Sequence, residues 1–316
     1  MLPGGFCGII AKNRIGAGGW FDGLGRRFSS LFPMSGVKID EVTSLDFFEL
    51  LKAVFFGIIQ GITEWLPISS TGHMILADEF MQLKEVTPGF INTFLVVIQF
   101  GSILAVIVMF FHKLNPFSPK KSLVQKKETF SLWGKVLVAV VPAAIIGFLF
   151  EDQIHEWLYN PTVIAIALIV YGVLFIVLEL NKKKARVENF SQLTYQMALF
   201  IGVFQVLALI PGTSRSGATI LGAIILGTSR YVAAEFSFFL AIPTMLGASG
   251  YELLKSGLSY TGSEWAVMIV GTVVSFVVSV FAIKFLMNFI KKHDFKAFGY
   301  YRIVLGIAVL LYFAFH

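Results

Sequence analysis

The chain has 316 residues, of which 56% are hydrophobic and only 14% charged, and its mean hydropathy is +0.79. No soluble core of this length hides so much apolar surface, so an ordinary soluble domain is excluded and lipid must be part of the solvent. The net charge of +6 leaves nucleic acid or anionic lipid open as partners, and the single cysteine, Cys7, excludes a disulfide framework or a multi-cysteine metal site.

In chain order, residues 1–46 come first. They are rich in glycine, carry Arg14, Arg26 and Arg27, and contain no apolar run long enough to span a bilayer. They lack the sustained apolar centre of a signal peptide and read as a poorly ordered N-terminal extension, with Met34 as a candidate start. The apolar region 47–82 follows, interrupted by Pro67-Ile68-Ser69-Ser70-Thr71-Gly72. Full-length apolar stretches then run at roughly 90–111, 134–150 and 161–180, each near the length of a membrane-spanning helix. A second interrupted region, 195–230, breaks at Pro211-Gly212-Thr213-Ser214-Arg215-Ser216-Gly217. Three more stretches, 236–254, 265–290 and 299–315, complete the chain. Breaks of this composition leave backbone groups unpaired, which at membrane depth is tolerated only where protein or a polar cavity satisfies them.

The connections give an orientation. Lys113, Lys120, Lys121, Lys126, Lys127 and Lys135 fall in 112–135, Lys182, Lys183, Lys184 and Arg186 in 181–189, and Lys291, Lys292 and Lys296 in 291–296. These three read as cytoplasmic; 151–160 and 255–264, with only Lys255, read as external. The basic excess is therefore a topology signal, and nucleic-acid binding is not expected. An internal repeat is also present. Phe55, Gly57, Gln60, Ser69, Gly72, Ile75 and Leu76 recur 145 residues later as Phe200, Gly202, Gln205, Ser214, Gly217, Ile220 and Leu221. The expected fold is an all-α polytopic membrane protein of about ten helices. Six are full spans, and two re-entrant helical hairpins make up the rest, in an inverted repeat with halves at about 47–180 and 195–316 of a single domain, 47–316. In such repeats the broken helices meet near the bilayer midplane and form the site.

The breaks hold the residues that can do chemistry. Gln60 and Glu64 are four apart and share a helix face, both offering oxygen, the ligand type preferred by Mg²⁺ and Ca²⁺. After Pro67 the Ser69-Ser70-Thr71 run opens a new helix with a hydroxyl as cap, and His73 lies one turn from Ser70. The second break adds Ser214, Arg215, Ser216, Gly217 and Thr219. Free N–H groups at a helix start and the planar guanidinium fork of Arg215 both suit phosphate. A lone intramembrane Glu64 or Arg215 is costly to bury and therefore points to function. Single serines and threonines in membrane helices as often bond back to carbonyls. Glu179, Arg230 and Glu235 read as structural pairs or interface anchors, and Asp78 and Glu79 as interfacial.

The two breaks resemble the signature motifs of the undecaprenyl pyrophosphate phosphatase family, also called the bacitracin-resistance family. The first motif reads here as Gln60…Glu64 followed by Pro67-Ile68-Ser69-Ser70-Thr71-Gly72-His73, with Gln60 where a Glu can also stand. The second reads Pro211-Gly212-Thr213-Ser214-Arg215-Ser216-Gly217-Ala218-Thr219, and the resemblance covers roughly 47–316. It implies a multi-pass protein of the bacterial plasma membrane whose site opens toward the outer face. It implies hydrolysis of undecaprenyl pyrophosphate, dependent on Mg²⁺ or Ca²⁺, which recycles the carrier lipid of cell-wall synthesis and confers bacitracin resistance.

On this reading Glu64 and Gln60 hold the metal. Arg215, Ser214, Ser216, Gly217, Thr219, Ser69 and Thr71 surround the phosphates. The nucleophile is Ser70, activated by His73, or a water activated by Glu64 or His73. A homodimer is left open. The rival reading is a lipid-phosphate or anion transporter, since inverted repeats with broken helices are typical of transporters. A structural scaffold leaves Glu64, His73 and Arg215 without a purpose.

Overall fold

The computed structural model describes residues 47–83, 86–87, 89–181, 184–256 and 260–315; the extension expected for 1–46 lies outside the described residues. The described residues are mostly helical. Helices α1 (Phe47–Thr63) and α2 (Ser70–Phe80) flank the first break. They are followed by α3 (Phe90–Met109), the single turn α4 (Phe111–Leu114), α5 (Leu123–Leu149), the short α6 (Glu151–Leu158) and α7 (Pro161–Leu180). Helix α8 (Tyr195–Val206), extended by a 3₁₀ turn at Leu207–Leu209, and α9 (Arg215–Ile225) flank the second break. The chain closes with α10 (Arg230–Ser256), α11 (Gly262–Lys292) and α12 (Lys296–Phe315). Six of these, α3, α5, α7, α10, α11 and α12, are long and apolar enough to cross a bilayer. With the two broken pairs they make the ten helices expected; α4 and α6 are additional.

The spans start where capping chemistry dictates. Ser122 and Gln125 form a reciprocal capping box that starts α5 eleven residues before its apolar run. Lys126, Lys127 and Lys135, expected in a connection, therefore lie on a helix. Lys135 is buried and donates to the Phe190 carbonyl at 2.9 Å. Thr261 and Glu264 make the same box for α11, and Asn160 with Pro161 at the first position starts α7.

The outer surface is lipid-like. On α11, Val273, Val277, Phe281 and Phe285 recur every four residues and are exposed, whereas Gly271, Ser275 and Ser279 are buried. Polar and small residues inside with large apolar residues outside is the arrangement expected when the solvent is hydrocarbon.

Packing crosses between the two halves. Helix α1 packs most extensively on α11, and its counterpart α8 packs most extensively on α5, the counterpart of α11. The equivalent pairs α3 with α10 and α7 with α12 pack on each other. Two glycines 145 residues apart make the crossed contacts possible. A Cβ on Gly57 would lie 2.7 Å from the Gly271 carbonyl oxygen, and one on Gly202 would lie 2.3 Å from that of Ala139. Only glycine lets the backbones approach this closely.

The ends of the spans are clamped by ion pairs. Lys113 Nζ contacts both carboxylate oxygens of Glu235 at 2.7 Å, and Arg230 pairs with Glu179, which also accepts from the Phe295 amide at 3.1 Å. Glu179, Arg230 and Glu235 are thus structural pairs. Asp78, expected at the interface, is buried at 2% exposure, while Glu79 accepts a hydrogen bond from Tyr312.

Candidate active site

Both breaks end in the same uncommon backbone conformation. Ser69 and Ser214, equivalent in the repeat, each have φ of 73° and are the only non-glycine residues with positive φ among the described residues. Each caps the helix that follows: Ser69 Oγ accepts from the Gly72 amide at 3.4 Å, Ser214 Oγ from the Gly217 amide at 3.2 Å. The hydroxyl cap foreseen at the first break is therefore present, and the second break opens its helix in the same way. Backbone strain of this kind persists where surrounding structure over-determines it, and it concentrates at functional sites.

The first break carries the acid, the second the base, and they meet. Arg215 Nη2 donates to Glu64 Oε1 at 2.8 Å, with only 12% and 8% of the two side chains exposed. The other carboxylate oxygen, Oε2, accepts from Gln60 Nε2 at 3.0 Å and from Ser70 Oγ at 3.2 Å. Ser216, from the second break, reaches the carbonyls of Glu64 and Leu66 in the first at 3.3 and 3.4 Å, and lies 3.1 Å from Ser214 Oγ. Gln60, Glu64, Ser70, Arg215 and Ser216 thus form one hydrogen-bonded cluster joining the repeat halves.

His73 stands apart from that cluster. Its Nδ1 lies 2.7 Å from the Ser69 carbonyl and its Nε2 lies 2.7 Å from Tyr301 Oη, on whose ring it stacks. Its two ring nitrogens are engaged with α12 and with the break, and the hydroxyl of Ser70 is directed to Glu64. Thr219 donates back to the Arg215 carbonyl at 2.9 Å and lies 2.8 Å from Ser237 Oγ. Thr71 is half-buried and makes no side-chain hydrogen bond among the described residues.

Further residues complete the site. Ser237 on α10 accepts from Arg215 Nη1 through its carbonyl at 2.7 Å and its hydroxyl at 3.2 Å. Trp65, fully buried, lies under the guanidinium at 5.7 Å and against Phe238. Neither Ser237 nor Trp65 was given a site role from sequence, although the family resemblance includes the Glu235-Phe236-Ser237-Phe238 stretch: serines in membrane helices are common, and a tryptophan beside a break has no distinctive pattern. The repeat did flag Gln205, the counterpart of Gln60. Its side chain is 2% exposed, and neither of its polar atoms has a partner among the described residues.

The donor balance points to an anionic ligand. Arg215 Nε and Trp65 Nε1 are buried donors with no hydrogen-bond acceptor among the described residues. Buried polar atoms are normally satisfied, and an orphan costs about 1–3 kcal/mol. Two orphaned donors on adjoining side chains, beside two helix N-termini, form a set that phosphate oxygens could complete. The described residues contain no group of three or more His, Cys, Asp or Glu side chains able to hold a metal ion. One carboxylate, one amide oxygen and one hydroxyl still fit a hard cation that takes its remaining ligands from water and substrate phosphates, as Mg²⁺ commonly does.

The sequence is similar to a family of known proteins. Residues 53–308 match the family model of the bacitracin resistance protein BacA. The chain is 66% identical over 265 residues to undecaprenyl-diphosphatase 1 of Clostridioides difficile (strain 630), covering 84% of this chain and 96% of that protein. It is 60% identical to an undecaprenyl-diphosphatase of Enterococcus faecalis, covering 85% and 98%. Identity to the undecaprenyl-diphosphatase of Acetivibrio thermocellus is 58%, covering 84% and 98%.

Proposed function

The chain belongs to the bacitracin resistance protein BacA family, and from that membership we propose that it hydrolyses undecaprenyl pyrophosphate to undecaprenyl phosphate and inorganic phosphate. Such a reaction returns carrier lipid to cell-wall synthesis and, by depleting the pyrophosphate form that bacitracin sequesters, confers resistance. The observation that carries the reading is the buried Glu64–Arg215 contact at 2.8 Å, which places a carboxylate, a guanidinium and the Ser70 hydroxyl at one point inside the membrane domain.

In the mechanism we favour, Arg215 binds the pyrophosphate through its unpartnered Nε, with Trp65 Nε1 and the amides at the start of α9 as further donors. The prenyl chain lies among lipid-facing helices. Ser70 Oγ, hydrogen-bonded to Glu64, attacks the terminal phosphorus in line, and Glu64 accepts the hydroxyl proton. The bond to the bridging oxygen breaks, and undecaprenyl phosphate leaves with the electron pair. Water then hydrolyses the phosphoserine. His73, held between Ser69 and Tyr301, fixes the turn that carries Ser70. Glu64 and the Gln60 oxygen would hold Mg²⁺ or Ca²⁺, which when bound neutralises charge on the phosphate oxygens. The lysine-rich connections support a plasma-membrane topology with those ends in the cytoplasm, and the family resemblance supports a site opening toward the outer face.

Phosphate release from a polyprenyl pyrophosphate in detergent, with and without Mg²⁺, tests the reading. The wild type is expected to release phosphate in a metal-dependent manner. Glu64→Ala and Ser70→Ala are each expected to lose at least 100-fold, by analogy with the loss of a general base or a nucleophile. Ser70→Ala with near-normal turnover would replace the serine route by direct attack of water. A folded wild type that releases no phosphate would sink the hydrolase and leave transport of a lipid phosphate or anion as the better account.

A further inference from the structure

Outside the Glu64 cluster, the largest fully buried charged side chain among the described residues is Arg302, on α12. No carboxylate pairs with it among the described residues; its hydrogen bonds all go to backbone carbonyls. Nη1 donates to Pro67 O at 3.2 Å, and Nη2 to Gly212 O and Thr213 O, both at 2.9 Å. Longer contacts of 3.4 and 3.5 Å reach the Leu168 and Ala167 carbonyls of α7, and the guanidinium lies 5.4 Å from the Tyr171 ring centroid. Pro67 and Gly212 are 145 residues apart, so they occupy equivalent positions in the two halves. One guanidinium therefore bridges the same carbonyl of both breaks.

We propose that Arg302 is a positioning residue that locks the two breaks to each other and so sets the distance between Ser70 and Arg215. The inference deepens the phosphatase reading and rests on it. Each bridged carbonyl lies within two residues of a serine with φ of 73°, at the start of α2 or α9. Helix starts inside a membrane need their upstream carbonyls satisfied, and a planar fork with several donors can satisfy both breaks at once where an ammonium cannot. The approach of α12 to α7 brings the residue there. A Cβ on Gly299 would lie 2.7 Å from the Gly172 carbonyl oxygen, and one on Gly172 would lie 2.7 Å from that of Gly299. Arg302 also sits close behind the phosphate-facing turn, since a Cβ on Gly217 would be 3.2 Å from its Nη1. Its fixed positive charge thus reinforces the α9 N-terminus without touching substrate.

The test is steady-state hydrolysis of a polyprenyl pyrophosphate in detergent by full-length wild type, Arg302→Lys and Arg302→Gln. Helical circular dichroism and gel-filtration profile are recorded for each. Wild-type turnover checks the phosphatase reading separately, so its absence counts against that reading and not against Arg302. With wild type active, folded Arg302→Lys is expected to lose about 10- to 100-fold in kcat with KM changed less than about threefold. Misplacing reacting groups by an ångström costs turnover while lipid-chain binding is kept. Folded Lys and Gln variants with kcat within about twofold of wild type per folded molecule would overturn the proposal and leave Arg302 a purely structural charge. Should neither accumulate as folded protein, Tyr171→Leu decides, because it removes the ring beside the guanidinium and keeps the hydrogen bonds. A kcat loss of about threefold at unchanged helical content supports the lock, and unchanged kcat overturns it.

Discussion

Ser69 and Ser214 do two things at once: each accepts the amide of the residue three positions on, and each holds φ at 73°. The two roles pull substitutions in opposite directions. Glycine relieves the backbone and removes the cap; alanine removes the cap and keeps the strain. At an ordinary helix start the loss of a serine cap costs about 1 kcal/mol in alanine and only a few tenths in glycine. Here the strain adds about 1–3 kcal/mol against alanine. Ser214→Ala is therefore expected to lower the thermal midpoint in detergent clearly more than Ser214→Gly, and equal midpoints would show that the conformation is unstrained. Residue identity at the breaks was legible in the sequence, because polar and breaking residues stand out in apolar surroundings. Arg302 was not, although a lone charge in a span is a recognised signal. It follows Lys296 by less than two turns and opens the apolar run 299–315, so it reads as one more basic flank of a cytoplasmic end. Its partners are carbonyls from residues 67 to 213, and no sequence pattern announces a carbonyl as a ligand.

At the level of elements, the spans were readable to within about six residues, except where a capping box carried a helix further into charged sequence, as at Ser122. Hydropathy finds the part of a helix that meets hydrocarbon, while caps set where the helix starts, and the two need not coincide. Which element packs on which was not readable, since leucine-rich surfaces are interchangeable in lipid and small residues decide the close crossings. Gly202 tests that point. A side chain there meets the Ala139 backbone, which cannot yield as a flexible side chain would. Gly202→Leu is expected to separate α8 from α5, destabilise by about 1–3 kcal/mol as overpacking does, and reduce phosphate release per folded molecule several-fold. The same substitution at the exposed Phe200, on the same helix, is expected to change neither.

On the scale of the whole molecule, the proposed chemistry is divided between the two repeat halves. The first supplies Glu64 and Ser70, the second Arg215, and Leu209 stands where the second half would carry its own carboxylate. The halves are joined through a buried ion pair, so removing one partner strands the other. Glu64→Gln and Arg215→Gln are each expected to lower stability by about 3–5 kcal/mol, and the double variant by less than either sum predicts. All three are expected to be inactive. Thermal unfolding followed by helical circular dichroism checks this, and strictly additive losses would show that the two charges do not depend on each other.

The crossed packing also bears on how such a chain is made. Gly57 finds its place against Gly271, and the carbonyl of Pro67 finds Arg302, only after more than 200 further residues have been synthesised. At about 5–20 residues per second that is a wait of roughly 10–50 s. Throughout it the Pro67 carbonyl lacks the guanidinium that satisfies it, although Arg215 has already been made and can pair with Glu64. Helix α12, made more than 200 residues later, is the one that satisfies that carbonyl. A nascent chain arrested before Arg302 should thus be open to proteases and membrane quality control at the first break, and a chain released beyond it should not.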